Sequence, residues 1–296
     1  MAIKVWIDGA YYDKDEAKVS VFDHGLLYGD GVFEGIRGYH GKVFRLKAHV
    51  DRLYDSAKAI WLEIPISREQ MGKQIEECVK TNNLRDCYIR AVVTRGKGDL
   101  GLDPRKCPKA TIIIIADTIS LYPKEFYDKG LDVITAATPI SHRENLNPRI
   151  KSLNYLAHIL AKVEGIQAGV HEVVMLDHEG YVAECSGDNI FIVKGPDRHS
   201  NGKPVVKTPP ANAGILKGIT RDVAIELAEK AGYVVREETL TRYDLYTADE
   251  MFLTGTGAEI IAVVKMDGRS IGTGKPGPVT ADLRSRFHKL TEEEAK

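Results

Sequence analysis

The sequence predicts a two-domain α+β / α/β protein, with a small N-terminal α+β domain and a larger mixed β-domain surrounded by helices. Its 296 residues are long for one core and sufficient for two. The first third combines strand-like segments with two helical ones, which is typical of a mostly antiparallel sheet with helices beside it. A segment containing Pro123 separates this part from a second set of strands and helices. We therefore expect domains over residues 1–118 and 130–296, joined by a linker over residues 119–129.

Apolar residues that alternate along the chain predict strands, and a period of 3.6 residues predicts helices. Ser67 and Gln70 form a capping box that marks the start of one helix. The Asp8-Gly9 pair predicts the turn of a first hairpin, whose second strand is expected over residues 17–22. In the first domain we expect strands at 5–7, 17–22, 32–39, 42–45, 86–94 and 110–116, and helices at 47–61 and 67–81. In the second we expect strands at 131–138, 172–176, 181–183, 189–193 and 250–254, and helices at 152–168, 218–230 and 280–290.

The charge balance and the cysteines limit the kind of ligand. With 41 basic and 42 acidic residues, the net charge of −1 provides no general field for nucleic acid or an anionic membrane. We therefore expect a small metabolite as ligand, with neither nucleic acid nor membrane as partner. The four cysteines and nine histidines lack metal-ligand spacing, so we expect reduced thiols and no metal site. Lys4 and Asp8 interrupt the only apolar stretch near the N-terminus, which favours a cytoplasmic protein without a signal peptide.

One lysine, Lys151, lies directly before a predicted helix in the segment PRIKSLNY, residues 148–155. A lysine held in a pocket at such a position can lose its proton and act as the nucleophile of a Schiff base. A solvated surface lysine is the competing interpretation, and it is the better one if the segment is considered alone.

Three further segments offer an acid and two anion sites. Glu184 ends a predicted strand after an apolar run and can project into a cleft, although exposed glutamates are commoner. Gly218-Ile219-Thr220 opens a predicted helix, whose free backbone N–H groups attract anions. Thr254-Gly255-Thr256-Gly257 allows close backbone approach and offers hydroxyls. A helix cap and a tight turn are the alternatives for the last two segments.

Basic and aromatic residues share strand faces in the first domain. Tyr88 and Arg90 are two residues apart and face the same side of their strand, as do Phe33 and Arg37. Arginine beside aromatic rings suits recognition of a carboxylate next to an apolar side chain. An arginine that lies over a half-buried sheet explains the pattern equally well. Arg52, on the helix after the second hairpin, is either a further candidate or a surface arginine.

Six segments occur in an order and at spacings that resemble one family. They are YGDGVFEGIR (28–37), HVDRL (49–53), KSLNY (151–155), ECSGDN (184–189), GITR (218–221) and TGT (254–256). Together they resemble the class IV aminotransferases, of fold type IV, and specifically the branched-chain amino-acid aminotransferases. The resemblance extends over nearly the whole chain, from residue 6 to residue 267.

The resemblance implies a dimeric enzyme, or a larger homo-oligomer built from dimers, that uses pyridoxal 5'-phosphate. Its implied reaction exchanges amino groups between the L-isomers of leucine, isoleucine and valine and 2-oxoglutarate. Lys151 matches the lysine that carries the cofactor through a Schiff base, and Glu184 matches the acid that pairs with the pyridine nitrogen. Tyr155 matches the tyrosine bound to the phenolic oxygen, although some relatives have one more residue between lysine and tyrosine.

The remaining matched residues concern the phosphate and the substrate. Arg52, Ile219, Thr220 and Thr256 match the phosphate cradle. The implied substrate pocket contains Tyr28, Phe33, Arg37, Tyr88, Arg90 and Gly257, and Tyr28 is expected to reach the pocket of the neighbouring subunit. The glycine-rich residues 95–104 are expected to form a mobile loop, whose counterpart in relatives covers the neighbouring pocket.

Three rival functions share parts of this pattern. A D-amino-acid or amine transaminase would resemble the chain around Lys151, but residues 33–37 and 88–90 are more similar to the branched-chain type. An aminodeoxychorismate lyase would release pyruvate without a keto-acid acceptor. A non-catalytic protein that binds a phospho-ligand through Thr220 and Thr256 would be colourless, whereas a Schiff base on Lys151 gives a yellow protein.

Overall fold

The computed structural model describes residues 3–119 and 122–295, and within them the chain forms two compact units. Unit 1 contains residues 3–119, 150–154 and 291–295. Unit 2 contains residues 122–149 and 155–290. Residues 150–154, which include Lys151, therefore cluster with unit 1 rather than with the residues around them in sequence.

Unit 1 is built on a six-stranded sheet in which every pairing is antiparallel, as the sequence predicts. The strand order is β2-β1-β6-β5-β3-β4. Its elements are β1 (Lys4–Ile7), β2 (Ala10–Asp13), α1 (His24–Tyr28), β3 (Gly31–Tyr39), β4 (Lys42–Val43), α2 (Leu46–Ala59), α3 (Arg68–Thr81), β5 (Cys87–Thr94) and β6 (Thr111–Asp117).

The core of unit 1 lies between this sheet and the two longer helices. Ile89 and Val93 of β5 are fully buried against Leu53 of α2 and Ile75 of α3, because alternate strand residues face the helices. Helix α3 begins with the predicted capping box, in which Ser67 accepts from the backbone of Gln70 and Gln70 accepts from the backbone of Ser67. This face of the sheet is therefore filled, and the opposite face carries the polar and aromatic residues described below.

Unit 2 contains a nine-stranded mixed sheet. The strand order is β12-β11-β10-β13-β14-β7-β8-β9, and β15 pairs with β14. Its elements are α4 (Lys124–Lys129), β7 (Leu131–Thr135), α5 (Leu156–Gln167), β8 (Glu172–Leu176), β9 (Val182–Cys185), β10 (Asn189–Lys194), β11 (Val205–Thr208), α6 (Ile219–Lys230), β12 (Val234–Glu237), α7 (Arg242–Tyr246), β13 (Glu250–Gly255), β14 (Glu259–Met266), β15 (Arg269–Ser270) and α8 (Pro278–Glu294). Of the helices over residues 3–119 and 122–295, none is long and apolar enough to span a membrane.

Two elements differ from the sequence prediction for identifiable reasons. The predicted second strand over residues 17–22 is wrong, because Asp8 and Gly9, both at positive φ, complete a tight turn and Ala10 pairs at once with Ile7. The helix predicted over residues 152–168 begins only at Leu156. The residues before it are extended and bond to β3 instead. The segment predicted as the linker contains α4, and its residues 120 and 121 lie outside the described residues.

Candidate active site

Lys151 is held against the edge of β3 by backbone hydrogen bonds. The N–H of Phe33 donates to the Lys151 carbonyl over 2.9 Å, and the N–H of Leu153 donates to the Gly31 carbonyl over 2.9 Å. The Lys151 N–H donates to the Ser56 hydroxyl at 3.1 Å. Because β4 pairs only with the far end of β3, this part of the β3 edge is open to the Lys151 segment. The lysine backbone is thereby fixed on a sheet rather than on a helix end.

The Lys151 amine meets an aromatic and cationic cluster on unit 1. Its Nζ lies 4.6 Å from the centre of the Phe33 ring, and the Arg90 guanidinium lies 4.5 Å from the same ring. Arg90 also donates to the Tyr88 hydroxyl at 3.2 Å. A Cβ at Gly35 would lie only 2.0 Å from that hydroxyl, so glycine leaves the room that Tyr88 occupies. The predicted shared face of Phe33, Tyr88 and Arg90 is therefore present in the structure.

Arg37 and Tyr28 lie apart from the Lys151 amine in the contacts they make. The Arg37 guanidinium lies 5.2 Å from the centre of the Tyr39 ring, and Arg37 pairs with Tyr88 across the two strands. Tyr28 ends α1, is 38% exposed, and its hydroxyl donates to the Leu100 carbonyl at 2.5 Å. Tyr28 thus fastens the glycine-rich segment over residues 95–104 within its own chain.

Arg52 is bound to a carboxylate in the interior of unit 1. Glu34 is completely buried on the helix-facing side of β3, and both its oxygens accept from Arg52, at 2.7 and 2.8 Å. His49, one turn earlier on α2, contacts the same carboxylate at 2.8 Å. A bidentate pair of this kind fixes the guanidinium plane as well as its position. The interpretation of Arg52 as a freely solvated surface residue is therefore wrong.

The charges in this group determine which atoms carry protons. Burial opposes ionisation of Glu34, but the Arg52 charge and the hydrogen bonds from Arg52 and His49 outweigh it and lower the pKa of Glu34 to about 2. Burial lowers the pKa of His49, against the opposing effect of Glu34, and the Arg52 and Lys151 charges add to the lowering. A neutral His49 facing an ionised carboxylate must donate from Nδ1, which fixes its tautomer.

Unit 2 presents a buried acid at the position that the sequence singled out. Glu184 lies on β9 and is 6% exposed, so it is not an exposed edge glutamate. Its Oε2 accepts from the Asn189 side chain and from the Leu216 N–H, both at 3.0 Å. Two neutral donors orient the carboxylate without neutralising its charge, which leaves an anion fixed in a buried place.

The start of α6 is arranged for an anion. Gly218 is its N-cap, and no side chain caps the first N–H groups, which belong to Ile219 and Thr220. Arg221 anchors this turn from the interior, since it is completely buried and donates to Glu237 at 2.6 Å and to the Pro209 carbonyl at 2.9 Å. A Cβ at residue 218 would lie 2.0 Å from the Asn189 side-chain oxygen. The residue that orients Glu184 therefore also requires glycine at the start of this helix.

The turn between β13 and β14 supplies two further candidates, Thr256 and Gly257. The adjacent Thr254 hydroxyl oxygen is buried and has no hydrogen-bond partner among the described residues. A Cβ at Gly255 would lie 1.8 Å from an Asp188 carboxylate oxygen, so the loop backbone lies directly on that side chain. Burial and the neighbouring Glu172 charge raise the pKa of Asp188 to about 7. Tyr155 lies at the N-cap of α5, where its ring stacks on His158.

Comparisons with known proteins agree with this arrangement. A family model described as Amino-transferase class IV matches residues 31–266. The chain belongs to this family, and it is a pyridoxal-phosphate-dependent transaminase. A Methanocaldococcus jannaschii protein, provisionally named a branched-chain-amino-acid aminotransferase, is 54% identical over 96% of this chain and 95% of its own length. The branched-chain-amino-acid aminotransferase of Pseudomonas aeruginosa is 39% identical over 97% of this chain and 92% of its own.

Solved structures lead to the same group of enzymes and confirm the expected fold class. The crystal structure of the Escherichia coli branched-chain amino acid aminotransferase matches with a TM-score of 0.93 and 35% identity, over 100% of this chain and 97% of its own. The branched-chain enzyme from T.th., complexed with N-(5'-phosphopyridoxyl)-L-glutamate, matches with a TM-score of 0.89 and 38% identity, over 99% and 95%.

The described residues fit the chemistry of pyridoxal phosphate. An uncapped helix start and a buried threonine hydroxyl without a partner suit a phosphate, and an oriented buried carboxylate suits a protonated ring nitrogen. A lysine whose backbone is fixed on a strand suits a covalent attachment. Each of these features stands on contacts within a single unit.

Sequence analysis did not single out Glu34, His49, Asn189 and His158. Glu34 carries a usable signal, because it alternates with Phe33 and Arg37 and so falls among the apolar residues of the helix-facing side. A charge at such a position requires a buried partner, and Arg52 provides it. Asn189 and His158 give no comparable signal, since their roles depend on contacts with the distant residues Leu216 and Glu184.

We expect Glu34→Gln to destabilise the cofactor-free protein by about 3–5 kcal/mol, because it leaves the Arg52 guanidinium without its counter-charge in a buried place. Urea unfolding of the variant at pH 7 measures this loss, with Glu76→Gln on the exposed side of α3 as the matched control. The folded pKa of about 2 lies below the ordinary 4.5, so the stabilisation is complete above pH 4.5 and is lost as the pH falls towards 2. The wild-type advantage should therefore shrink at pH 3, and an advantage of equal size at both pH values would contradict the assignment.

Proposed function

We propose that this protein transfers the amino group between the L-isomers of leucine, isoleucine and valine and 2-oxoglutarate, with pyridoxal phosphate bound to Lys151 as a Schiff base. The observation that carries the proposal is the cluster of the Lys151 amine, the Phe33 ring and the Arg90 guanidinium on one sheet of unit 1. It places a reactive amine beside an apolar ring and a carboxylate receptor. The names of the similar proteins support the same substrates.

Lys151 and Glu184 have separate tasks in this proposal. Bound pyridoxal phosphate supplies an electron sink for the bond to be broken at the substrate Cα. The Lys151 Nζ accepts the proton from the substrate Cα and returns it, as general base and then general acid. The Glu184 carboxylate holds a proton on the pyridine nitrogen by its negative charge. The two residues belong to different units, and the proposal that they serve one cofactor is supported by the family match, which spans both.

The phosphate and the phenolic oxygen of the cofactor would be held by separate groups. Arg52 offers its guanidinium, Ile219 and Thr220 offer the N–H groups at the start of α6, and Thr256 offers a hydroxyl. Tyr155 would donate to the phenolic oxygen. These residues bind and orient, and none of them needs to transfer a proton during the reaction.

The substrate side chain would be recognised on the sheet of unit 1. Phe33 and Tyr88 offer apolar surface to an aliphatic chain, and Arg90 offers two N–H groups to the second carboxylate of glutamate. We also assign Arg37 and Gly257 to the substrate pocket, and Tyr28 to the pocket of a second subunit.

A homodimer, alone or as part of a larger assembly, is the proposed functional form. Helix α5 exposes an apolar stripe of Leu156, Ile159, Leu160, Val163 and Ile166, each at least 41% exposed. A stripe of this kind on one helix supports burial against another chain. A cytoplasmic location is proposed as well, in keeping with the free thiols of Cys78, Cys87, Cys107 and Cys185.

Covalent attachment at Lys151 is tested directly by chemical reduction. Borohydride treatment of the yellow protein followed by peptide mapping should place the pyridoxyl label on Lys151, because only an amine in Schiff-base linkage is reduced to a stable bond. Lys151→Ala should bind the cofactor without a covalent label. A label on any other lysine in the wild-type protein would refute the assignment.

Removal of the Glu184 charge should slow transamination while leaving cofactor binding largely intact. We expect Glu184→Gln to lower the single-turnover rate on the order of 10²-fold or more, comparable to the loss of one preorganised electrostatic group. Glu229→Gln, an exposed substitution on α6, is the control and should be silent. Near-native turnover in Glu184→Gln would mean that another group protonates the ring nitrogen.

Substrate class is tested with a panel of L- and D-amino donors assayed with 2-oxoglutarate, in which we expect activity with L-leucine, L-isoleucine and L-valine. Arg90→Ala should impair glutamate and 2-oxoglutarate more than leucine and its keto acid, because only the dicarboxylates use the guanidinium. Single-turnover spectroscopy of each half-reaction separates the two losses, and the exposed Arg85→Ala serves as control. Preference for D-alanine or D-glutamate, pyruvate release without an acceptor, or equal losses for both substrate classes would contradict the proposal.

A further inference from the structure

A histidine on α5 connects two residues that we assign to the cofactor. The ring of His158 stacks on Tyr155, with ring centres 4.6 Å apart and planes inclined by 25°. Its Nε2 lies 3.9 Å from Oε1 of Glu184. The three residues belong to the same unit, and these contacts place His158 between a phenol and a carboxylate.

The environment of His158 is that of an interior group rather than a surface one. Its side chain is 13% exposed, and it lies on the same side of α5 as the buried Ala161 and Gly165. Its Nδ1 is buried and has no hydrogen-bond partner among the described residues. A buried imidazole with one unsatisfied nitrogen costs stability unless it serves a purpose.

The Glu184 carboxylate is divided between two kinds of neighbour. Oε2 is occupied by the Asn189 side chain and the Leu216 N–H, which do not titrate in the physiological range. Oε1 faces His158, whose charge depends on pH. The other charged pair along α5, Lys162 with Glu172, lies one turn further and satisfies itself at 3.2 Å. His158 is therefore the group beside Glu184 that can change its charge.

We propose that His158 is a positioning residue that stacks the Tyr155 ring in place and, through its protonation, controls how much of the Glu184 charge is available to the cofactor. A neutral His158 leaves the carboxylate as an undivided anion. A protonated His158 draws Oε1 into an ion pair and weakens the hold of Glu184 on the pyridine proton. This inference rests on the proposed function, because it takes Glu184 and Tyr155 as cofactor ligands.

Two substitutions separate the stacking role from the charge role. His158→Phe keeps an aromatic ring against Tyr155 and removes the titration, whereas His158→Gln removes both. His288→Gln is the matched control, because His288 also forms a histidine–glutamate pair, 3.0 Å from Glu259, and it is largely exposed on α8. All three variants are prepared with cofactor bound and compared with the wild-type protein.

The absorbance of the bound cofactor is recorded between about pH 5 and 8, where imidazoles titrate. We expect an acid-side transition in the wild type and in His288→Gln, and its loss in both His158 variants. Cofactor release, measured by equilibrium dialysis, should be near wild type in His158→Phe and about two- to tenfold easier in His158→Gln, the range of one aromatic contact. Identical titrations in wild type and His158→Phe, or a wild-type spectrum that does not change, overturn the inference alone. A wild-type protein without any cofactor band overturns the proposed function with it.

Discussion

The backbone pairing of residues 151–153 with β3 is the constraint on which the Lys151 cluster depends. Two hydrogen bonds of 2.9 Å hold the segment in extended form, and they exist because β4 covers only the far end of that edge. The pairing satisfies backbone groups that would otherwise be buried without partners. It also fixes the Lys151 Cα relative to Phe33, its hydrogen-bonded neighbour, so that the amine reaches the face of that ring.

The charged groups of both units are each prepared before any ligand is bound. Arg52 is held by Glu34, which is itself bonded to His49, and Glu184 is held by Asn189 and the Leu216 N–H. Burying such groups is costly unless their hydrogen bonds are satisfied. The gain is that the charges do not need to reorganise when a ligand arrives, which is the condition for effective electrostatic catalysis.

Much of the fold and the chemically active residue types follows from the sequence, and the exceptions have local causes. The antiparallel sheet of unit 1 and the capping box at Ser67 are confirmed because they rest on short-range patterns. The late start of α5 is not visible in the sequence, since residues 152–155 have acceptable helical propensity and only tertiary hydrogen bonds to β3 override it. Glu34 was accessible in principle, as a charge on an apolar strand face, whereas the position of Asn189 beside both Glu184 and Gly218 depends on tertiary contacts alone.

Arg90 explains how one pocket could serve both a dicarboxylate and an aliphatic substrate. A guanidinium that faces an aliphatic side chain without a partner would carry a large desolvation cost. Here the Phe33 ring lies 4.5 Å from it, the Tyr88 ring lies 5.5 Å from it, and the Tyr88 hydroxyl accepts one N–H. The aromatic faces stabilise the cation in the absence of a carboxylate and present apolar surface to a leucine side chain at the same time. Gly35 is part of this arrangement, because a larger residue would displace the Tyr88 hydroxyl and remove the partner that keeps the guanidinium satisfied.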